Sequence, residues 1–388
     1  MQKKMFKNFE WGILICTIIL LAIGLVALFS ATQNSDYEEF KKQIMWIGIS
    51  IPVIVVVILV DYEILAKISP VIYGLSLISL IAVLFTEPIN GATSWFNIGP
   101  FSFQPAEFAK IAVVLFMANV IVKLQQKGRD EINRFWKLGI ILATVAVPTL
   151  LIIKQPDYGT ALAFLVALIF MLYVAGINKK YIITAVLLVV ILVPLAYFFI
   201  LPEHAKARID VYLNPNLDPR GDGYNIIQSK LAIGAGKIFG MGLFKGNQTQ
   251  LGYLYPKTTD FIFAVISEEM GFVVAGAIIV LYVILITKSI QVAKTAKDDL
   301  GSYIATGIVG IFFFHMLENI GMTMGLLPIT GIPLPFVSYG GSSMLTNLTL
   351  IAILLNISTR RKKAMFIEWS FLRVQSSNSG MIIYFSVL

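Results

Sequence analysis

Trp11-Gly12-Ile13-Leu14-Ile15-Cys16-Thr17-Ile18-Ile19-Leu20-Leu21-Ala22-Ile23-Gly24-Leu25-Val26-Ala27-Leu28-Phe29-Ser30 decides the fold class. Twenty consecutive residues without a charged side chain make a helix about 30 Å long, the thickness of the bilayer's hydrocarbon core. Lys3, Lys4 and Lys7 stand before it, as in a secretory signal. The run is longer than a signal's apolar region and others like it follow, so it reads as a retained span. Comparable stretches recur at residues 43–60, 64–86, 104–123, 137–153, 158–175, 181–201, 260–287, 302–325 and 340–357. The expectation is an all-α polytopic membrane protein with about ten transmembrane helices. Composition agrees: over 388 residues the apolar share is 57% and the charged share 13%, against ~25% charged in a soluble domain.

The charges report orientation. Lys and Arg gather in alternate connections, at Lys3 to Lys7, Lys67, Lys123 to Lys137, Lys179-Lys180, Lys288 to Lys297 and Arg360 to Lys363, while the intervening short connections hold only Lys41, Lys42 and Lys154. The positive-inside rule then places both termini in the cytoplasm. The net charge of +8 is spent at helix ends, with no aromatic-studded basic domain, so nucleic acid is not an expected partner. Cys16 is the single cysteine, which excludes an intramolecular disulfide and a cysteine zinc site. His204 and His315 are the only histidines, too few for the usual zinc hydrolase ligand sets. No metal site is expected.

One connection is far longer than usual. Between the seventh and eighth spans, about residues 202–259, the chain is Pro/Asp/Asn-rich over 214–223, helix-like from Tyr224 to Ala235, then punctuated by glycine over 236–242. It reads as an ordered extracytoplasmic lid or platform.

Ionisable side chains inside a span cost several kcal/mol and mark candidate sites. In Gln104-Pro105-Ala106-Glu107-Phe108-Ala109-Lys110 the proline starts a helix, and Glu107 and Lys110 share one face at i,i+3. A buried structural pair and a substrate-lining pair both fit that pattern. Asp260 follows Thr258-Thr259 at the start of the eighth span, where it can cap the helix or serve as a general base. Glu268 and Glu269 lie roughly 12 Å deeper. His315, Glu318 and Asn319 on the ninth span are expected to hydrogen-bond between helices, with a proton relay as the alternative. Leu327 to Ser343 is rich in proline and glycine. It reads as a re-entrant stretch lining a cavity, since irregular backbone at membrane depth must be covered by protein or water.

Taken in order, several segments resemble the shape, elongation, division and sporulation (SEDS) family of bacterial membrane proteins. They are Gln104-Pro105-Ala106-Glu107 with Lys110, Gln155-Pro156-Asp157-Tyr158-Gly159-Thr160, Gly223-Tyr224-Asn225-Ile226-Ile227-Gln228-Ser229, Thr259-Asp260-Phe261-Ile262-Phe263 with Glu268-Glu269-Met270-Gly271, and Gly325-Leu326-Leu327-Pro328 through Gly340-Gly341-Ser342-Ser343. The resemblance covers about residues 10–363, one transmembrane domain, and leaves a tail at 364–388 without a role. Gly246-Asn247-Gln248-Thr249-Gln250 resembles the elongation branch. One departure is Tyr255-Pro256-Lys257, where the family often carries Pro-Glu.

The resemblance implies an inverting peptidoglycan glycosyltransferase of the bacterial cytoplasmic (inner) membrane, active in elongation and rod shape. It would polymerise lipid II, an undecaprenyl-pyrophosphate-linked disaccharide pentapeptide, onto a nascent glycan strand at the outer face, beside a class B penicillin-binding protein. It further implies Asp260 as catalytic base, Lys110, Arg208 and Lys257 as cations for the pyrophosphate, and supporting or binding roles for Glu107, Gln104, Thr259, Gln250, Ser338 and Ser342. No resident cofactor is implied, though a divalent cation (Mg or Mn) suits the pyrophosphate oxygens. A lipid II flippase or a non-enzymatic synthase scaffold would also need a membrane cavity. The large loop feeding directly into Asp260 favours the enzyme.

Overall fold

The computed structural model describes residues 8–87, 93–99, 101–199, 203–218 and 221–361. The expected tail at 364–388 and the basic cluster at Lys3 to Lys7 lie outside these residues. The chain forms helices α1 (Trp11–Ala31), α2 (Glu38–Leu59), α3 (Tyr62–Ala82), α4 (Pro105–Leu124), α5 (Phe135–Ile153), α6 (Tyr158–Ala175), α7 (Lys179–Phe199), α8 (Glu203–Leu213), α9 (Asp222–Ala235), α10 (Asn247–Gln250), α11 (Ile262–Thr295), α12 (Asp299–Thr323) and α13 (Gly341–Thr359). Among the described residues nine of these are long and apolar enough to cross a membrane. The remaining expected span, the seventh at 181–201, corresponds to the 21-residue α7. Each span begins and ends within a few residues of its apolar run, except α11, which continues to Thr295.

Enclosure sorts the helices. In α13 89% of the apolar window is buried, in α2 only 11%, so α13 is central and α2 faces the lipid. Packing follows this order: α12 lies against α6 and α11, α13 against α2 and α4, α3 against α4, and α1 against α11. The in-span polar groups Glu107, Lys110, His315, Glu318, Asn319 and Asn347 sit on the enclosed helices α4, α12 and α13 and are buried. That placement keeps them away from hydrocarbon, where they could not be satisfied. At one end of the bundle Arg360 pairs with Asp61, Lys297 with Glu63, and Glu10 with both Lys288 and Arg361. The start of α1 and the end of α13 therefore share that end.

The opposite end is built from irregular pieces. A two-stranded hairpin, β1 (Phe96–Ile98) and β2 (Phe101–Phe103), pairs Phe96 with Phe103 and leads into α4. The long connection is ordered as α8, α9, a turn region and α10. It is joined to α11 at a break. Gly271 has φ 78 and ψ −177, a region essentially confined to glycine, and the helix carbonyls freed there are taken by the loop. Met241 N donates to Glu268 O and Gly242 N to Glu269 O, both at 2.9 Å, while Phe272 N and Val273 N donate to the Lys237 and Ile238 carbonyls. The interrupted ladder is thus completed by a second piece of chain, which satisfies groups that would otherwise be orphaned in a membrane helix. A Cβ at Gly271 would sit 2.2 Å from Gly240 N. Gly271→Ala is accordingly expected to abolish accumulation of monodisperse protein, measured by size exclusion in detergent. Gly276→Ala, with open space around its Cβ, serves as the control.

Candidate active site

Two clusters meet at the irregular end. The first is centred on α4. Lys110 Nζ lies 2.8 Å from Glu107 Oε2, the two side chains being 0% and 2% exposed, and 3.3 Å from His315 Nε2 on α12. His315 Nδ1 lies 3.3 Å from the Pro333 carbonyl, so the chain of contacts ends on the re-entrant stretch. Gln104, just before Pro105, donates from Nε2 to Asp157 Oδ2 at 2.8 Å and from its backbone N to Ser342 Oγ at 3.3 Å. Asp157 caps α6, accepting Thr160 N at 3.0 Å. Burial raises the Asp157 carboxyl's pKa; the bonds from Thr160 and the Lys110 charge oppose the rise, and Glu107 adds to it. Gln104, Glu107, Lys110 and Ser342 therefore form one set, joined by Asp157 and His315.

The second cluster surrounds Asp260. α11 starts at Ile262 with Phe261 as its cap residue and no side-chain cap bond, so the capping role considered for Asp260 is not realised. Asp260 belongs to the preceding turn, and its carboxylate Oδ2 lies 3.6 Å from where a Cβ on Gly331 would be. Its carbonyl accepts Asn319 Nδ2 at 3.0 Å. The Thr259 carbonyl accepts Ser338 Oγ at 2.7 Å. Thr259, Asp260 and Ser338 are thus brought together by the stretch between α12 and α13, whose Ile332, Leu334, Phe336 and Val337 are buried. Irregular backbone at depth is covered by protein here, as membrane physics requires.

The remaining three sequence candidates lie elsewhere. Gln250 Nε2 donates to Glu269 Oε1 at 2.8 Å and to Ser30, and Lys257 Nζ donates to the Thr249 carbonyl at 3.0 Å. Burial holds the half-buried Lys257 ammonium below the ordinary lysine value. Gln250 and Glu268, whose carboxylate accepts Gln248 N, Thr249 N and Thr249 Oγ1, fasten the loop to α11, while Lys257 ties two parts of the loop together. Arg208 lines a different feature, an apolar groove of about 260 Å³ walled by Ile153, Leu162, Leu165, Ile209 and Ile329. Thr330 also lines it, and Thr330 Oγ1 donates to Glu318 Oε1 at 2.6 Å. Thr330 immediately precedes Gly331, the residue beside the Asp260 carboxylate.

The sequence points to Asn319 as a hydrogen-bonding group of the ninth span and to Glu268 as a carboxylate within the eighth, but not to their partners, and it gives Asp157 no role. Asp157 stands in the Gln155 to Thr160 motif, and its cap position before α6 is a usable signal. The partners of Asn319 and Glu268 are distant in sequence and left none.

A family model described as cell cycle protein, spanning FtsW, RodA and SpoVE, matches residues 10–363. The chain is similar to the peptidoglycan glycosyltransferase MrdB of Escherichia coli, 36% identical over 351 residues that cover 90% of this chain and 93% of MrdB. It is also similar to stage V sporulation protein E of Bacillus subtilis, 37% identical over 362 residues that cover 89% and 96% of the two chains. Among solved structures, a chain from a peptidoglycan synthase complex that coordinates polymerization and crosslinking matches with a TM-score of 0.79 at 27% identity, covering 92% of this chain and 99% of that one.

Proposed function

We propose, from the premise that this chain belongs to the FtsW, RodA and SpoVE family of cell cycle proteins, that it is a peptidoglycan glycosyltransferase of the elongation branch. It polymerises lipid II at the outer face of the bacterial cytoplasmic membrane. The end carrying Lys288, Lys297, Arg360 and Arg361 faces the cytoplasm under the positive-inside rule, which puts both termini inside and Asp260 outside. A class B penicillin-binding protein, which crosslinks the product, is the fitting partner, in keeping with the synthase complex whose chain this one matches.

The observation that carries the reading is that adjacent residues of one stretch adjoin a carboxylate and an apolar groove: the Asp260 carboxylate lies beside Gly331, and the next residue back, Thr330, lines the groove. A prenyl chain suits the groove and its pyrophosphate suits Arg208 at the wall, leaving the anomeric carbon near the Asp260 turn. The acceptor's 4-hydroxyl oxygen then bonds to the donor's anomeric carbon, the bond from that carbon to the pyrophosphate oxygen breaks, and the hydroxyl proton passes to Asp260. One base and direct displacement invert an α-linked donor to a β-linked product. Pyrophosphate leaves without an acid, its charge met by cations. Glu107 and Lys110, paired with each other and with Lys110 in contact with His315, form the polar floor beside the re-entrant stretch. A magnesium or manganese ion takes phosphate oxygens with one or two carboxylates.

Purified protein and its partner, given labelled lipid II in the presence of moenomycin, are expected to form long glycan. Transfer of lipid II across a vesicle without polymer would support a flippase instead, and neither activity would leave a scaffold. Filling the groove gives a second expectation. Leu165→Trp, which displaces prenyl carbon at ~0.8 kcal/mol per methylene, should raise KM for the full-length substrate roughly tenfold if two methylenes are lost. The KM for a short-prenyl analogue should stay unchanged.

A further inference from the structure

Three successive carbonyls before α11 are held from outside their own segment. Thr258 O accepts Tyr339 N at 2.9 Å, Thr259 O accepts Ser338 Oγ at 2.7 Å, and Asp260 O accepts Asn319 Nδ2 at 3.0 Å. The two side chains that take part each bind twice. Ser338 Oγ also accepts Leu334 N at 2.8 Å, and Asn319 Nδ2 also donates to Ile332 O at 2.8 Å. Asn319 is 0% exposed. Its two amide hydrogens each meet a carbonyl, which fixes the direction of the amide, since the reverse orientation would press Oδ1 against two carbonyl oxygens. In that orientation Oδ1 is buried without a hydrogen-bond partner. An unpaired buried acceptor is destabilising, so stability alone does not account for an amide here.

We infer that Asn319 and Ser338 are positioning residues that fix the backbone of Thr259 and Asp260 against residues 332–334 and so set where the Asp260 carboxylate meets the acceptor hydroxyl. Neither side chain touches a reacting atom in this account. Each acts through the turn that carries the carboxylate, and both tie that turn to the stretch containing Gly331. The bond from Asp260 O to α12 and the bond from Ile332 O to the same nitrogen make the carboxylate and its facing wall move as one unit. Misplacement of a reacting group by about 1 Å can cost roughly a hundredfold in rate. The inference rests on Asp260 being the base.

The test is initial-rate glycan formation by the purified protein with its partner, over a range of lipid II concentrations, for Ser338→Ala, Asn319→Asp, Asn319→Ala and the double Ser338→Ala/Asn319→Ala, with Asp260→Asn alongside. Asn319→Asp keeps the side-chain volume but turns an oxygen toward two carbonyls. Each single variant is expected to lose roughly 10- to 100-fold in kcat with KM for lipid II within threefold of wild type. The double variant should lose far less than the product of the singles, because groups acting on one carboxylate are not additive. The inference is overturned by a raised KM at unchanged kcat, by kcat within twofold of wild type in Ser338→Ala and Asn319→Asp, or by losses that multiply in full. Ser338→Ala and Asn319→Asp decide the matter where Asn319→Ala does not fold. Wild-type rate in Asp260→Asn would remove the base itself. An inactive Asp260→Asn beside normal kcat in the other variants would remove only this inference.

Discussion

Replacing Asp260 with Asn is expected to lower the rate of glycan formation by about 10²- to 10⁴-fold, the range over which a positioned general base contributes, with lipid II binding changed little. A sugar hydroxyl is a weak nucleophile until its proton has somewhere to go, and Asn has no basic oxygen to receive it. Asp260 lies in a turn outside the helix, and the bond from Asn319 reaches its carbonyl, which Asn retains. Initial rates and lipid II binding measured on the same preparation check both halves. A variant that binds and does not polymerise is the expected outcome.

Glu107→Ala is expected to cost about 3–5 kcal/mol of stability, the effect of leaving one charge of a buried pair unpaired. The Lys110 side chain is 0% exposed, and without Glu107 its ammonium would lose its 2.8 Å carboxylate partner while the contact to His315 remains. The double replacement Glu107→Gln/Lys110→Met, which leaves no unpaired buried charge, should recover most of that loss. Thermal midpoints in detergent separate the two cases. Glu107→Gln alone retains an oxygen for the Lys110 ammonium, so it should stay folded and lose activity. A normal rate in Glu107→Gln would confine the pair to a structural role.

The sequence made the spans legible because bilayer thickness imposes a length of apolar helix that few other demands mimic. Phe135 and Ile153 bound α5 within two residues of the expected 137–153 run, and the Glu107–Lys110 contact followed from helical spacing alone. What escaped depends on partners distant along the chain. Gly271 sits in an apolar run where glycine is commonly tolerated, and only residues 237–242, docked onto its exposed carbonyls and amides, turn it into a break. The hairpin at 96–103 has strands of three residues, too short for alternation to be recognised. For Asp260 the two preceding threonines suggested a cap, but the turn runs on to Phe261 and the carboxylate lies beside Gly331. Lys257 and Gln250 carry charge or amide at plausible positions, yet their bonds go to the Thr249 carbonyl and to Glu269, contacts that no spacing rule anticipates.

The most direct measurement follows labelled lipid II on a gel after incubation with reconstituted Asp260→Asn protein and its class B penicillin-binding partner. Retained lipid II with no glycan ladder is the result this account predicts. A ladder that lengthens as fast as the wild-type protein's would contradict it.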